Sequence, residues 1–265
     1  MIAAFEGWND AGDAATAAVE HLGTHWDARP FAEVDPEEFY DFTATRPQIR
    51  LHDGVTRSID WPRNSFRWAT PAGTDGVVLL RGVEPQLKWR TFCAQVLEVA
   101  QELDCSMVLT LGALLAEVAH SRPTPVFGNA YDAAMIERLS LEPSHYEGPT
   151  GIVGVLHAEC AEVGLDSASL WAAVPSYVPS APSAKAALAL VERTTQLIGA
   201  TVPTMELTLQ AAAYEHEISQ LVDEDDSTAD YVHHLEEQHD QDQMAVQSAD
   251  DMVEEVERFL REQDK

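Results

Sequence analysis

Positive charge is scarce in this sequence, where 16 Lys or Arg stand against 45 Asp or Glu and the formal net charge is -29 at pH 7. A negative field of this size repels phosphate backbones and anionic lipid head groups, so we expect neither nucleic acid nor a membrane surface as a partner. The chain also has no run of 18 apolar residues, and Met1 to Phe5 carry no basic, cleavable segment. These absences predict a soluble, cytoplasmic protein.

Cysteine is scarce as well, and the motifs of common catalytic and cofactor chemistry are missing. The three cysteines, Cys93, Cys105 and Cys160, form no C-x-x-C pair, which indicates a reducing compartment and neither a disulfide framework nor a zinc site. No G-x-S-x-G elbow, H-E-x-x-H helix or G-x-G-x-x-G fingerprint occurs. We therefore expect no metal, no cofactor and no complete catalytic set.

What the sequence does have is enough apolar material for a packed core. Apolar residues make up 45% of the 265 positions, and six of them are tryptophan, so the chain can bury one large domain. Short β-branched or aromatic runs alternate with helical periods, which predicts right-handed crossovers and a mostly parallel sheet. The predicted strands are 2–5, 38–42, 48–51, 55–61, 66–69, 77–80, 107–111, 125–127 and 170–174.

Helix and turn signals lie between several of these strands. The apolar period that starts at Trp89 predicts an amphipathic helix, and a second helix is predicted from Thr150 to Val163. Ser183 is a good N-cap for a third helix, which should end before Gly199. The turn His52-Asp53-Gly54 predicts a β-hairpin, so the sheet should be mixed.

From Pro203 onward the pattern is helical only. Apolar residues recur at helical spacing from Leu207 to Leu221, and capping-box spacings at Ser227 and Ser248 predict two further short helices. Residues 215–265 contain 18 Asp or Glu against three Lys or Arg, so this region either forms a solvated appendage or covers a sheet edge or a partner. We predict a three-layer α/β/α core with a mostly parallel mixed sheet at 1–202, followed by an acidic helical region at 203–265.

The most distinctive string is Phe5-Glu6-Gly7-Trp8-Asn9-Asp10-Ala11-Gly12-Asp13, where the first strand ends and the first helix begins. Ligands of open α/β sheets bind at this edge. Gly7 and Gly12 have the spacing of a phosphate-binding loop, but Asp13 stands where a lysine should meet the phosphates. Asp10 and Asp13 instead suit the positive end of the helix dipole.

Further turns at predicted strand ends could converge on the same edge: Leu111-Gly112-Ala113, His120-Ser121-Arg122-Pro123, Gly128-Asn129 and Tyr146-Glu147-Gly148-Pro149-Thr150-Gly151. The sequence leaves open whether these residues form a polar pocket or are loop residues ordered by their own turns. The candidate pocket or interaction residues are Glu6, Gly7, Trp8, Asn9, Asp10, Gly12, Asp13, His120, Arg122, Tyr146, Glu147 and Gly148, with His145 beside them.

Several of these strings occur together in one order, and their set is more specific than any single motif. They are Phe5 to Gly12, Gly82-Val83-Glu84-Pro85 with Trp89 and Phe92, Leu111-Gly112-Ala113, Ser121-Arg122-Pro123, Tyr146 to Gly151, and Trp171-Ala172-Ala173-Val174-Pro175. With this set the chain resembles the proteasome assembly chaperone 2 family, and in particular its actinobacterial branch, from residue 2 to about residue 200.

The resemblance implies a core similar to purine nucleoside phosphorylases, assembly as a homo-oligomer, specifically a trimer, and a role in guiding proteasome subunits together. Two departures bear on that role. Relatives that dock onto proteasome rings use a C-terminal hydrophobic-Tyr-x tail, whereas this chain ends Arg261-Glu262-Gln263-Asp264-Lys265. Ser176 also stands where relatives often carry histidine, which argues against an essential histidine there.

Two functions compete on this evidence. The first is a non-enzymatic assembly or scaffold protein that binds itself and proteasome subunits, which fits the resemblance and the missing catalytic set. The second is an enzyme or sensor for a small nucleoside-like or carboxylate ligand, bound at the strand ends near Trp8, Asp10, His120, Arg122 and Glu147. An acidic structural module without a ligand is the remaining alternative.

Overall fold

The computed structural model describes residues 1–141, 143 and 146–263, and of residues 246–263 only the backbone. Its strands are β1 (Ile2–Glu6), β2 (Arg29–Val34), β3 (Gln48–His52), β4 (Thr56–Asp60), β5 (Asn64–Ala69), β6 (Val77–Val83), β7 (Val108–Ala116), β8 (Val126–Ala130) and β9 (Ser167–Pro175). Its helices are α1 (Ala14–His25), α2 (Trp89–Glu102), α3 (Ala133–Leu139), α4 (Ile152–Glu162), α5 (Ala184–Ile198), α6 (Met205–Asp223) and α7 (Asp226–Gln263).

Seven of the described strands form one mixed sheet in the order β2-β5-β6-β1-β7-β9-β8. The central strands β6, β1, β7 and β9 are parallel, whereas β5 and β2 on one side and β8 on the other run antiparallel to their neighbours. Central parallel strands are covered on both faces, which is why β1, β6 and β9 are almost continuous apolar runs. β3 and β4 form the predicted hairpin as a separate two-stranded sheet.

Helices cover both faces of the sheet, so the core is divided into two apolar clusters. Alternate side chains of β1 show the division, because Ile2 and Ala4 join one cluster while Ala3 and Phe5 join the other. Helices α1 and α5 pack on the first face, and α2 and α4 pack on the second. The predicted three-layer α/β/α fold with a mostly parallel mixed sheet is confirmed.

The C-terminal helices pack beside this core. Leu207, Ala211, Tyr214 and Ile218 of α6 are buried, as their helical spacing predicted, whereas Leu221 is exposed and Val222 is buried in its place. Val232 and Leu235 of α7 pack with Tyr214, Ile218 and Val222 of α6 in a small third apolar cluster. Among the described residues, no helix combines the length and the apolar character that a membrane crossing requires.

Two of the sequence predictions are wrong, one before the hairpin and one in the C-terminal region. Residues 38–42 are not a strand: Pro36–Glu38 form a short 3-10 helix, whose first turn Asp35 caps by accepting a hydrogen bond from the Glu37 N–H at 3.0 Å. The region after Asp226 is one long helix and not two short ones. The helix continues through Ser248 because residues 226–263 contain no glycine or proline to end it.

Candidate functional site

A cleft of about 1470 Å³ lies against the carboxyl ends of the central strands, between the loop after β1, strand β8, the segment before α4, and α4 itself. This is the edge at which the sequence predicted a site. Six of the predicted residues line the cleft: Gly7, Trp8, Asn9, Tyr146, Glu147 and Gly148. His145 lies outside the described residues.

Glu84, which follows β6, holds the floor of the cleft together. One of its carboxylate oxygens accepts a hydrogen bond from the Asn9 side-chain amide at 2.8 Å and another from the backbone N–H of Ile152, also at 2.8 Å. The second bond places negative charge at the start of α4, where the helix dipole favours it. The backbone carbonyl of Asn9 accepts a hydrogen bond from the Ala113 N–H at 2.8 Å, so one network joins the loop after β1, the segment after β6 and strand β7.

Asp10 is used to start a helix. Its carboxylate accepts hydrogen bonds from the Ala15 N–H at 2.6 Å and from the Thr16 hydroxyl. Burial raises the pKa of Asp10, against the effect of those bonds. Because the carboxylate is buried and already occupied by the first turn of α1, Asp10 is a capping residue in this arrangement.

Gly12, in the loop after β1, packs against the start of α5. Gly12 has a φ of +58°, and a Cβ there would lie 3.0 Å from the Cβ of Ser183. The Gly12 carbonyl accepts a hydrogen bond from the Ser183 N–H at 2.7 Å. Asp13, also at positive φ, makes no capping hydrogen bond to α1. Glu6 accepts a hydrogen bond from Arg81 of β6 at 3.0 Å and does not line the cleft.

His120 and Arg122 do not line the cleft with Trp8 and Asn9. Their side chains contact the C-terminal helical region instead. The His120 ring lies 2.7 Å from the Tyr177 hydroxyl and 2.9 Å from the Ser219 hydroxyl of α6, and burial lowers its pKa. Arg122 donates two hydrogen bonds, each of 2.8 Å, to the carboxylate of Asp240 in α7. Their positions indicate that these residues attach the C-terminal helices to the core.

Exposed aromatic side chains surround the cleft. We define the aromatic rim as Trp8, Phe127, Tyr131 and Tyr146, whose exposed fractions are 63%, 51%, 65% and 67%. The sequence did not predict Phe127 and Tyr131 as site residues. Phe127 was missed because an apolar residue on a strand predicts burial, and Tyr131, which follows β8, belongs to none of the motifs. Phe127 is exposed because β8 is the last strand of the sheet, and its pairing partner is β9 alone among the described strands.

Two buried polar atoms belong to cleft residues and have no hydrogen-bond partner among the described residues. They are Oδ1 of Asn9 and Nδ1 of His157. The other ring nitrogen of His157 lies 2.8 Å from the Thr110 hydroxyl, and burial lowers the pKa of His157 to about 4. The imidazole is therefore neutral near pH 7, and it can donate or accept one further hydrogen bond.

Comparison with known proteins finds relatives of this chain. The family model described as "PAC2 family" matches residues 4–222. A solved Mycobacterium tuberculosis structure, described as a proteasome-assembly chaperone homologue, is 47% identical with a TM-score of 0.80, and the match covers 87% of this chain and 98% of that one. A PAC2 family protein from Streptomyces avermitilis is 45% identical with a TM-score of 0.82, covering 88% and 98%.

A solved structure of much lower identity has the same fold. Pyrococcus furiosus PbaB, described as an archaeal proteasome activator, is 18% identical with a TM-score of 0.67, covering 83% of this chain and 91% of that one. At that identity the likeness shows a shared fold alone. No match was found among curated proteins.

Proposed function

The chain belongs to the PAC2 family, and from this premise we propose that it is a non-enzymatic protein-binding factor with a role like that of a proteasome-assembly chaperone. The family and its chaperone-like members support a chaperone-like role in general terms. The specific version that we propose is a cytoplasmic homo-oligomer, a trimer, that binds proteasome subunits during their assembly.

The aromatic rim is the observation that carries this proposal. Its four aromatic side chains are all more than half exposed and surround one cleft. Exposed aromatic side chains that cluster on one surface are typical of protein interfaces, where they provide large contact areas at little entropic cost. The adjacent Leu114 and Leu115, at the carboxyl end of β7, are exposed as well and extend the apolar surface.

The hydrogen bonding of two candidate residues, Asp10 and Arg122, and of Glu84 also favours binding over catalysis. Asp10 caps α1, Glu84 holds Asn9 and the start of α4, and Arg122 is bound to Asp240. General acid–base catalysis needs titratable groups that can reach a substrate. These three side chains are instead engaged in joining elements of the fold.

The test is affinity capture of proteasome subunits by the purified chain, with the oligomer verified beforehand by light scattering. We expect the wild type to retain subunits, and Phe127→Ser to weaken retention at least tenfold. Phe31→Ser is the matched control, because Phe31 is an exposed phenylalanine on β2, at the opposite side of the sheet. An intact wild-type oligomer that retains no subunit, or equal losses in both variants, would contradict the proposal.

A second candidate function, small-ligand binding, is favoured by one observation. The unpartnered atoms of Asn9 and His157 are buried, and an unpaired buried polar group costs roughly 1–3 kcal/mol. Of the nucleoside-like and carboxylate ligands that the sequence suggests, a nucleoside-like one could pair with both groups while an aromatic ring stacks on Trp8.

Thermal denaturation in the presence of nucleosides, nucleotides and amino acids distinguishes the second candidate. A ligand at about 100 times its dissociation constant stabilises the fold by roughly 2.7 kcal/mol. A saturable shift that Asn9→Ala abolishes would favour this candidate, and the absence of any shift across the panel would count against it.

A further inference from the structure

The hairpin of β3 and β4, which we call the arm, comprises residues 48–60 and is exposed at every position except Asp60. Its strands pair in the register Ile49↔Ile59 and Leu51↔Arg57, and they form a sheet separate from the main one. Nine of the ten strand residues are exposed, and Asp60 is half-buried. An isolated two-stranded hairpin is marginally stable in water. We therefore expect a further surface to pack against the arm and stabilise it.

The two faces of the arm differ in chemistry. On one face the polar side chains satisfy one another, because Arg50 donates to Asp60 at 2.9 Å and His52 lies 2.8 Å from Ser58. The other face presents Ile49, Leu51 and Ile59, which are 64%, 60% and 57% exposed. These apolar side chains alternate with the polar ones along each strand, as they do in a sheet with one covered face. The described residues provide no cover for the apolar face.

The positive charge of the arm indicates the chemistry of the surface that it contacts. Arg57 lies opposite Leu51 on the apolar face, and it has no ion pair among the described residues. Residues 46–63 hold four arginines against two aspartates, in a chain with 16 basic and 45 acidic residues. A surface that suits this face is therefore apolar with carboxylates beside it. A second copy of this chain, with 45 acidic residues against 16 basic ones, supplies carboxylates in large excess.

We propose that the apolar face of the arm packs against the acidic surface of a second copy of this chain, in a head-to-tail contact. A two-fold contact between two arms would place the Arg57 side chains of both copies in one small apolar interface, where like charges repel. A head-to-tail contact pairs Arg57 with a carboxylate and can close into a ring. The proposal deepens the self-association part of the proposed function, and it does not depend on proteasome binding.

The first test is the solution mass of arm variants, measured by light scattering during gel filtration. Ile49→Glu should convert the wild-type oligomer to monomers of 29.1 kDa, because it adds a charge at the centre of the apolar face. Thr56→Glu is the matched control, since it adds the same charge to the polar face of the same hairpin, and it should leave the mass unchanged. The melting temperatures of the wild type and of Ile49→Glu are compared at dilutions at which the wild type is also monomeric. Equal values show that the variant is folded.

The outcomes separate the two proposals. A wild type that is monomeric at all concentrations would overturn both self-association and this use of the arm. An oligomeric wild type whose mass does not change in Ile49→Glu would overturn the role of the arm alone, and self-association would then use another surface.

The second test identifies the occupant directly. A photoreactive phenylalanine analogue at position 51 is activated in a mixture of ¹⁴N- and ¹⁵N-labelled chains, and the cross-linked peptides are analysed by mass spectrometry. Mixed-label cross-links from the arm to an acidic segment of another copy support the proposal. The proposal would be overturned by cross-links that join two arms or by cross-links within one chain only. It would also be overturned by efficient cross-links to an unrelated protein added to the mixture.

Discussion

Asn9 donates a hydrogen bond from its side-chain amide to the carboxylate of Glu84 at 2.8 Å, although the two residues are 75 positions apart. The bond joins the loop after β1 to the segment after β6, and the same carboxylate oxygen accepts the N–H of Ile152 at the start of α4. One half-buried carboxylate therefore joins three segments beside the cleft.

Replacement of Glu84 by alanine should destabilise the fold by about 1–3 kcal/mol. The change leaves the Asn9 amide and the Ile152 N–H without their acceptor, and the cost of an unmade buried hydrogen bond is that of desolvating the group. Urea denaturation measures the loss. Glu38→Ala is the control, because the exposed ion pair between Glu38 and Lys88 should contribute little. Similar losses in the two variants would show that Glu84 is not a structural centre of the cleft.

Replacement of Arg122 by alanine should loosen α7 without loosening the sheet. Arg122 makes two hydrogen bonds of 2.8 Å with Asp240, and together with the hydrogen bond from the Ser121 hydroxyl to Glu236 it links the loop after β7 to α7. Hydrogen exchange should become faster in residues 226–245 and stay unchanged in β1 and β7. Arg138→Ala, which removes the exposed pair with Asp166, should leave the exchange of α7 at the wild-type rate. Unchanged exchange in Arg122→Ala would contradict the assignment.

Burial of His157 should make the fold less stable as the pH falls from about 6.5 to about 4. Its pKa is lowered from 6.5 to about 4 by burial, so in that interval the unfolded chain binds a proton that the folded chain does not. The contribution to stability is complete above pH 6.5 and is lost on acidification, on the order of 3 kcal/mol in all.

Comparison with His157→Gln isolates this contribution, because the other titrating groups are common to both chains. Denaturant unfolding at several pH values should show a smaller loss of stability in the variant over the same interval. Parallel profiles for the two chains would mean that the pKa of His157 is the same in the folded protein as in the unfolded chain, and would contradict the effect of burial.

Replacement of Gly112 by alanine should cost about 1–3 kcal/mol through overpacking. A Cβ at this position of β7 would lie 2.6 Å from the ring of Trp171 in the neighbouring strand β9. Since the clash is with one side chain, the cost should be smaller in a Trp171→Ala background, and a double-mutant cycle measures the difference. Additive effects of the two replacements would place the cause of any destabilisation elsewhere.

Local sequence signals correctly predicted the elements that are determined by nearby residues. Ser183 caps α5 by accepting a hydrogen bond from the Ala186 N–H at 3.2 Å, and Gly199 ends that helix at a φ of +69°. The apolar runs of the central strands and the period of α2 were sufficient for the fold class, because both kinds of pattern repeat within a few residues.

Edge strands and short helices were harder to predict. Strand β2 was missed because its residues are mostly exposed and include a proline, and α3, with seven residues, is too short for its period to be distinguished. The end of β7 was also placed too early, since Gly112 suggested a turn, whereas the strand continues to Ala116.

The sequence by itself determined the α/β fold class, the acidity of the C-terminal helices and the edge of the sheet at which the cleft lies, since composition and local periodicity control these features. Only the tertiary structure decided that Glu84 holds the cleft floor, that His120 and Arg122 contact the C-terminal helices, and that the apolar face of the arm is exposed. Each of these features depends on contacts between segments that are distant in the sequence. Strand order and helix packing determine those contacts, and neither produces a local pattern in the sequence.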